Sequence, residues 1–458
     1  MMGKGWLFAG VAIATVAGSP AMAQQALTAE EAAQMRAQIE ALRAQVNALE
    51  ARLNAQQAVP SPQVHPVPHA APVAASAPVA ANTTTIEWKG APELRAAGGW
   101  SFKPRGRLQM DVGGVDAPNA INDTGLGYNA EIRRIYMGFD GTLPGGFGYR
   151  LEADFSDGSA ALTDAYLTYT KGSFTATVGH QKPANGLEEL TSDLFTSFNE
   201  RAAFTQAFGF ERRLGVQGSW IKGPVIVQAG VFADDINALT NASNNSWSMD
   251  GRIVVAPKFG DTQLHFGASA HTRDFNDTIT SARYRARPFT HTTDTRLVDT
   301  GNITATGETN YGLEFAAIRG PFHVAAESAW MRARRAGLPD AHFDGGYAEI
   351  GAFLTGESRN WRKGAFDRVS PRKSVGNGGM GALEANLRYD WLDLSDGSVG
   401  ILGGQQDTYA ASLTWIATPY VRFIANYAHL DFNDARVAAG TDRDYSADSM
   451  ALRAQFDF

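Results

Sequence analysis

From about residue 100 to residue 458 the chain alternates apolar and polar residues with a period of two. The final stretch, ALRAQFDF, puts Phe456 and Phe458 on one side of an extended strand and Arg453 and Gln455 on the other. Successive side chains of a β-strand point to opposite faces of its sheet. The pattern therefore predicts strands with one apolar face and one wet face, continuing to the last residue.

The predicted wet faces carry many charges, and this decides between fold classes. A sandwich would bury such charges in a dry core at a large cost. A closed membrane barrel instead meets lipid with its apolar face and a water-filled lumen with its polar face. We therefore predict an all-β fold, an antiparallel transmembrane barrel of roughly sixteen strands. The charged wet-face residues include Arg107, Arg150, Glu152, Asp154, Glu327, Glu384, Arg388 and Arg422.

Closure of such a barrel requires the last strand to pair with the first, because an open sheet edge is not tolerated in lipid. Phe456 and Phe458 are accordingly assigned to barrel closure. A terminal Phe also resembles the C-terminal signature of bacterial outer-membrane proteins, which implies a role in assembly. Aromatic side chains near strand ends suit the girdles at the membrane interfaces. Candidates for these girdles are Trp220, Trp391, Trp415, Tyr420 and Phe458.

Residues 1–23 have the pattern of a cleaved secretory signal peptide. Lys4 precedes an apolar run, and small residues at 21–23 precede a cleavage site before Gln24. The run is shorter than the roughly 20 residues that a membrane-spanning helix needs. We expect an exported protein of the bacterial outer membrane whose N-terminal segments lie in the periplasm.

Residues 24–57 carry apolar residues at alternating spacings of four and three, which is a heptad seam. A helix with one apolar stripe cannot bury that stripe alone, so the pattern predicts a coiled coil and an oligomer. The β-branched residues at position a and the Leu residues at position d favour a coiled coil of two helices. A lone surface helix is the alternative. The seam consists of Met35, Ile39, Leu42, Val46, Leu49 and Leu53.

Residues 58–86 are rich in Ala and Pro and predict an extended linker, which leaves 87–458 for the barrel. His65 and His69 lie four apart within the linker. That spacing suits a metal only on a helix, and the surrounding prolines prevent one. We expect no metal and no cofactor.

The composition excludes several kinds of site and one class of binding partner. The 458 residues include no Cys, which excludes disulfides, thiolate metal sites and Cys nucleophiles. The formal net charge is −7, so nothing indicates a general nucleic-acid binder.

Short Gly and Pro turns alternate with longer polar connections along the predicted strands. Residues 181–211 form the third long connection. Residues 356–379 fall where a short turn is due and break the alternation.

Several motifs together resemble the phosphate-selective porin O/P family over roughly residues 88–458. They include WSFKPRGRLQMD, EIRRIYMGFDG, GHQKPANGLEELTS, NERAAF, ERRLGVQG and YAEIGAFLTGESRNW. The resemblance implies a sixteen-stranded barrel, a homotrimer in outer-membrane lipid, and passive uptake of small anions such as phosphate. Some relatives carry an N-terminal coiled coil. A trimer differs from the coiled coil of two helices that this seam favours.

The resemblance also implies anion-guiding arginines. Arg133 and Arg134 in RRIYMGF match a family arginine pair, and Arg285 and Arg287 in RYRARPF match an Arg-x-Arg-Pro element. Strand alternation lets only one of Arg133 and Arg134 face the lumen in mid-strand, so the other is expected near a strand end. For any one arginine the alternative is a solvated wall residue without a role in selectivity. The set of pore-lining candidates is Arg107, Arg133, Arg134, Arg150, Arg285 and Arg287.

The resemblance implies that the third long connection, residues 181–211, folds inward as a constriction loop, and this loop departs from the phosphate-selective pattern. Phosphate-selective relatives have lysines after GLE, where this chain has Glu189 and further on Leu194, and Glu188 and Asp193 make the loop more acidic. Lys182 is the basic residue that remains nearby. An arginine wall that faces an acidic loop predicts weak anion preference and no micromolar phosphate site.

Two other functions compete with anion uptake. A general porin of weak selectivity could also tether the envelope by contact of its coiled coil with peptidoglycan. An outer-membrane barrel enzyme would need a Ser beside a His, and none of the His residues lies beside a G-x-S-x-G motif. We therefore expect a channel and not an enzyme.

Overall fold

The computed structural model describes Glu40 and residues 84–239, 246–276 and 279–458. The predicted signal peptide, most of the linker and, apart from the helical Glu40, the predicted coiled coil lie outside the described residues. These three segments therefore stay predictions. The barrel belongs to one compact unit, Ala80–Phe458.

Sixteen long strands run antiparallel to their neighbours and close into a barrel, as the alternation predicted. They have 8 to 18 residues each. In chain order they are β1 Trp100–Asp116, β2 Asn129–Leu143, β3 Phe147–Asp154, β4 Ala161–Lys171, β5 Phe174–Gln181, β6 Arg213–Lys222, β7 Val225–Phe232, β8 Trp247–Val255, β9 Thr262–Asp274, β10 Gly307–Arg319, β11 Phe322–Arg334, β12 Ala341–Phe353, β13 Ala382–Asp396, β14 Ile401–Thr418, β15 Val421–Asn433 and β16 Tyr445–Asp457.

The barrel is closed by the pairing of β16 with β1. Leu452 lies opposite Val112, and Asp457 lies opposite Arg107. Beyond the last strand residue, Phe458 and Gly106 exchange backbone hydrogen bonds in both directions, with N–O distances of 3.0 and 3.3 Å. The prediction that the last strand pairs with the first and closes the sheet is therefore confirmed, and the role of the terminal residues in assembly stays a prediction.

Short elements complete the described part of the chain. No helix among the described residues is long and apolar enough to cross a membrane. The helices are α1 Leu187–Leu190 and α2 Ala203–Ala207, with 3-10 turns at Thr124–Leu126, Pro144–Gly146 and Gly397–Val399. The short strands are Thr85–Trp88, Pro92–Ala96, Lys258–Phe259, Ser281–Ala282, Arg285–Ala286, Val298–Asp299, Ile303–Thr304, Asn360–Arg362 and Ala365–Asp367.

The two faces of the wall follow the sequence alternation. On β15, Phe423 and Tyr427 are exposed on the outside, whereas Arg422 and Asn426 are buried on the inside. Exposed apolar side chains recur outside all the way round, which is the surface that a barrel presents to lipid.

Aromatic residues on the outer surface gather near the two ends of the barrel. Trp220 and Trp415 are exposed beside two-residue turns, and Trp415 stacks on Phe423 with ring centroids 5.4 Å apart. Trp391 lies towards the opposite end and stacks on Tyr389 at 5.8 Å. Bands of this kind mark the interfaces of a membrane barrel.

One end of the barrel has short turns and the other has long loops. Gly172 and Gly320 sit in two-residue turns with φ of 60° and 56°, a conformation that such hairpins require and that Gly adopts without strain. The connection 354–381 between β12 and β13 is long although it lies at the short-turn end, as the sequence indicated.

Loops fill much of the lumen against β10 to β16. Phe204 stacks on Tyr347 of β12 at 6.5 Å, and Tyr284 lies 5.2 Å from Phe343. Met331, like these aromatic residues, is buried in one apolar cluster between the wall and the loops. The expectation of a uniformly wet lumen face was therefore wrong for this side, because the inward positions of β10 to β16 include many apolar residues that the loops cover.

We expect Phe458→Ala to impair assembly without changing the conductance of each assembled channel. The Phe458 ring packs on Gly106 so closely that a Cβ at Gly106 would lie 2.3 Å from it, so the ring seals the junction of β16 and β1. Heat-modifiable migration in SDS gels and outer-membrane levels should fall several-fold. Phe322→Ala, which removes an exposed ring from the same rim, is the matched control. Normal levels of the Phe458 variant would contradict this account.

Candidate functional site

The constriction loop is defined here as residues 182–212, which join β5 to β6 and contain α1 and α2. Counted along the chain, this is the third connection at the long-loop end of the barrel. Its bounds differ by one residue from the predicted 181–211. Its side chains and backbone groups hydrogen-bond to inward-facing residues of β1, β11, β13, β15 and β16. The loop therefore lies inside the barrel, as expected.

A carboxylate of the wall holds the first turn of α1. The backbone N–H groups of Leu187 and Glu188 donate to the two Glu327 carboxyl oxygens at 2.7 and 2.6 Å. Gly186 precedes them with φ of 70°, and a Cβ there would lie 3.0 Å from Glu327. The first N–H groups of a helix lack partners within the helix, so the two Glu327 oxygens satisfy donors that would otherwise be buried unpaired.

Glu188 faces away from the open part of the lumen. Its carboxylate accepts hydrogen bonds from Arg388 at 2.6 Å and from the Ala202 N–H at 2.9 Å. Arg388 also binds Glu349 at 2.6 Å, and all three charged side chains are buried. Glu188 thus fastens the loop to the wall.

Two wall arginines bind carbonyl oxygens of the loop. Arg422 donates to the carbonyls of Leu194 and Thr196 at 2.8 and 2.5 Å, and Arg453 donates to that of Asn199 at 2.7 Å. These carbonyls belong to irregular backbone that has no ladder partner, and buried carbonyls need a donor. The arginines therefore satisfy the loop inside the barrel.

Loop 354–381 supports the constriction loop from the short-turn end. Arg359 donates to the Ser197 hydroxyl at 2.5 Å and to the Phe195 carbonyl at 3.0 Å. The N–H of Phe366 donates to the Thr191 hydroxyl at 3.2 Å. Two loops from opposite ends of the barrel thus meet within the lumen.

An open cavity of about 1330 Å³ remains between these loops and the inner faces of β1 to β7. Its lining is strongly basic, with fifteen Lys and Arg side chains. They are Lys103, Arg105, Arg107, Arg134, Arg150, Lys182, Arg201, Arg212, Arg283, Arg285, Arg287, Arg296, Arg362, Lys363 and Arg368.

Seven acidic side chains share this lining, so basic residues outnumber acidic ones about two to one. The excess contrasts with the net charge of −7 for the whole chain. The acidic residues are Asp154, Asp164, Glu189, Asp193, Glu211, Asp235 and Asp367.

Arg133 and Arg134 both point into the lumen. Arg134 lies opposite Gln109 and Ile132 opposite Met110, so Arg133 is the extra residue of a β-bulge. Arg133 reaches Glu200 at 3.4 Å. The expectation that alternation would place one of the pair near a strand end was therefore wrong, because the bulge interrupts the alternation.

Asp193 ties the constriction loop to the opposite wall. Arg134 contacts its carboxylate at 2.7 Å, and Arg107 contacts the same carboxylate. Burial raises the pKa of Asp193, but these two guanidiniums outweigh burial and hold that pKa well below its ordinary value. Asp193 is therefore a permanent anion that neutralises part of the arginine wall.

The remaining sequence-predicted residues lie along the same cavity. Lys182 contacts the Glu189 carboxylate at 2.5 Å. Arg150 binds Asp140 and Asp164 at 3.3 and 3.5 Å. The other two predicted residues, Arg285 and Arg287, belong to loop 275–306 between β9 and β10.

Those two loop arginines differ in their partners. Arg287 binds Asp294 at 2.8 Å. Arg285 is exposed and has no ion pair among the described residues.

Sequence reasoning missed several basic residues of this lining. Lys103 and Arg105 alternate with the same period as Arg107, so that pattern could have identified them. Arg201 and Arg212 come from the constriction loop, where no periodicity shows which side chains face the cavity.

A closed sixteen-stranded barrel with an apolar outside, an inward-folded loop and a charged lumen defines an outer-membrane porin. The chain belongs to the family described as phosphate-selective porin O and P, whose model matches residues 102–458. This confirms the resemblance seen in the sequence. The short turns of such barrels face the periplasm and the long loops face outward.

The chain is similar to two curated proteins, one of which is named as a porin. The chain is 28% identical to Porin O of Pseudomonas aeruginosa over 66% of its own length and 74% of that protein. It is 47% identical to an uncharacterized protein of Caulobacter vibrioides, over 82% of this chain and 77% of that one.

Solved structures share the fold at low identity. OmpT of Vibrio cholerae, in a trimer form, matches with a TM-score of 0.51 and 12% identity over 79% of this chain and 100% of that one. An anion-selective porin from Comamonas acidovorans matches with a TM-score of 0.51 and 12% identity over 78% and 100%.

We expect anion preference to fall as the pH rises from 7 to 9. Burial lowers the pKa of Lys182 to about 8, with Arg201 lowering it further and Glu189 opposing both. The Lys182 charge is present below that pKa and is lost above it. One charge about 8 Å from the path contributes roughly 0.5 kcal/mol in water, or about twofold in a permeability ratio. Reversal potentials measured across this pH range should show the change.

Lys182→Arg is the control for this pH effect, because a guanidinium stays charged throughout the range. Its pH profile should be flat. The same fall in the Lys182→Arg variant would contradict the assignment to Lys182.

Proposed function

We propose that this porin passes small hydrophilic anions, phosphate among them, by passive diffusion along the cavity beside β1 to β7. The observation that supports the proposal is the excess of fifteen basic over seven acidic side chains in the lining. The description of the family as phosphate-selective points to the same solutes.

The electrostatics of the cavity favour this reading. Two unit charges about 8 Å apart interact by about 2 kcal/mol at an effective dielectric of 20. Charges beyond about 10 Å are screened at 0.1 M salt, so acidic residues elsewhere in the chain have little effect inside the cavity. A solute in the cavity therefore meets mainly the local excess of Lys and Arg.

Ion pairing keeps the binding of any one anion weak. At the constriction, Asp193, Glu189 and Glu200 already occupy the nearby basic groups. A phosphate would have to compete with these carboxylates for the same guanidiniums. We therefore propose weak to moderate anion preference without a micromolar phosphate site, which retains part of the general-porin alternative.

Free basic groups mark the path on both sides of the constriction. Arg285 lies in loop 275–306, towards the outside. Lys103 near the start of β1 and Lys363 in loop 354–381 lie towards the periplasm. Among the described residues none of these three has an ion pair, so each is available to a passing anion.

A homotrimer fits the strand lengths. β3, β5 and β7 have 8 residues each. At about 3.3 Å per residue and a tilt of about 40°, such a strand spans about 20 Å, less than the roughly 25 Å apolar band of these barrels. We propose that this low side of the wall faces neighbouring subunits. Contact of the coiled coil with peptidoglycan remains a prediction on residues outside those described.

Two neighbouring carboxylates provide a matched test of the proposal that anions pass along the cavity. Glu189 lines the cavity, whereas Glu188 is buried against Arg388 and does not. We expect Glu189→Gln to raise the chloride-over-potassium permeability ratio about twofold and to strengthen block of chloride current by added phosphate. Glu188→Gln should leave the ratio unchanged and make the open current noisier, because the loop loses an attachment.

The double variant Glu188→Lys with Glu189→Lys does not separate selectivity from loop attachment, because a lysine at 188 would face Arg388 in a buried site. Planar-bilayer recordings of the two single variants therefore decide the question. If Glu188→Gln shifts selectivity as much as Glu189→Gln, the proposed path is wrong. Block of the unmodified pore at micromolar phosphate would show that the arginines bind more strongly than proposed.

A further inference from the structure

A small hairpin precedes the barrel and joins its wall. The rim hairpin is defined as Thr85–Ala96, in which Thr85–Trp88 pairs with Pro92–Ala96. Ile86 lies opposite Leu94, and Leu94 in turn lies opposite Phe102 at the start of β1. The hairpin thus extends the barrel sheet by two strands at the periplasmic rim.

The rim hairpin occupies the sheet edge that β16 leaves open. β16 ends opposite Arg107, so the first residues of β1 project beyond it. Gly90 in the hairpin turn has φ of 80°, and a Cβ there would lie 2.6 Å from the Tyr420 ring and 3.1 Å from the Phe458 Cα. The hairpin is therefore packed against the junction that closes the barrel.

The two faces of the rim hairpin differ sharply in polarity. The inner face is charged and internally paired, with Lys89 2.8 Å from both Glu87 and Glu93, and Arg95 2.6 Å from Glu93. The outer face is apolar and exposed, because Ile86 is 65%, Trp88 75% and Leu94 38% exposed.

The apolar face is continuous with the outer surface of the barrel. Directly opposed residues of paired strands share a face, so the row Ile86, Leu94, Phe102 runs across three strands on the outside. The ring centroids of Phe102 and Phe139 lie 5.6 Å apart, on the surface where Met110 is also exposed. The row is thus part of the surface that faces lipid.

We propose that the rim hairpin is a membrane-interface anchor whose apolar face contacts phospholipid of the periplasmic leaflet. Large apolar side chains grouped on one face are unfavourable in water. Trp is favoured at the interface, where its ring meets both acyl chains and headgroups. The paired charges on the inner face keep that side of the hairpin wet.

Depth-dependent fluorescence quenching tests the anchor. The chain has no Cys, so single-Cys variants carry a unique probe. We would attach bimane at Ile86→Cys and Trp88→Cys, with Glu87→Cys as the matched opposite-face control. Phe102→Cys on the wall and Ser173→Cys in an exposed short turn calibrate lipid and water. The folded porin is reconstituted in vesicles of phosphatidylethanolamine and phosphatidylglycerol that contain brominated phospholipid.

Labels at 86 and 88 should be quenched at least twofold more than the label at Glu87→Cys, and to a level near Phe102→Cys. Quenching equal to that of Glu87→Cys would overturn the proposal. A label at 86 that is shielded from both brominated lipid and a water-soluble quencher would also overturn it, because a second protein surface would then cover the hairpin.

A second experiment separates anchoring from mere proximity. In a Leu94→Cys background carrying the same probe, Ile86→Asp with Trp88→Asp should reduce lipid quenching at 94 at least twofold. SDS-resistant migration confirms that the barrel is folded. Unchanged quenching at 94 in a folded barrel would show that the apolar face does not hold the hairpin on lipid.

Discussion

The attachment of the constriction loop to the barrel wall by buried charges is the constraint on which the rest of the structure depends. An irregular segment inside a barrel must find partners for its backbone and for its charges, since unpaired buried groups are costly. Arg422 and Arg453 bind the loop carbonyls, Glu327 holds the N-terminus of α1, and Arg134 binds Asp193. Breaking a buried pair of this kind leaves an uncompensated charge and costs about 3–5 kcal/mol.

This attachment also determines where the lumen stays open, which is the path that we propose for solutes. The loop packs its apolar residues against β10 to β16, where Phe204 meets Tyr347, and leaves the cavity beside β1 to β7 open. The carboxylates that seat the loop neutralise some of the arginines that would otherwise bind anions. Glu188 and Glu189 show both roles side by side, since the first fastens the loop and the second faces the cavity. One set of ion pairs thus shapes the cavity and, in the function proposed above, sets its selectivity.

The fold could be predicted from the sequence because lipid and lumen impose a period-two pattern on every strand, down to Phe456 and Phe458. The strand count and the unusual connection near 356–379 followed from the same pattern, whereas the inward third loop followed from the resemblance to the family. The arrangement of the site could not be predicted in full. A β-bulge at Arg133 leaves no mark in a run such as EIRRIY, and the orientation of Glu188 depends on Arg388, which lies 200 residues further along the chain.

The reversal potential of the unmodified porin in a KCl gradient tests the central claim most directly, namely that the excess of basic residues beside β1 to β7 governs permeation. The measurement is made in a planar bilayer at pH 7 and 0.1 M salt on the dilute side, where screening extends over about 10 Å. The account predicts a potential displaced towards the chloride equilibrium potential. A potential displaced towards that of potassium would contradict it.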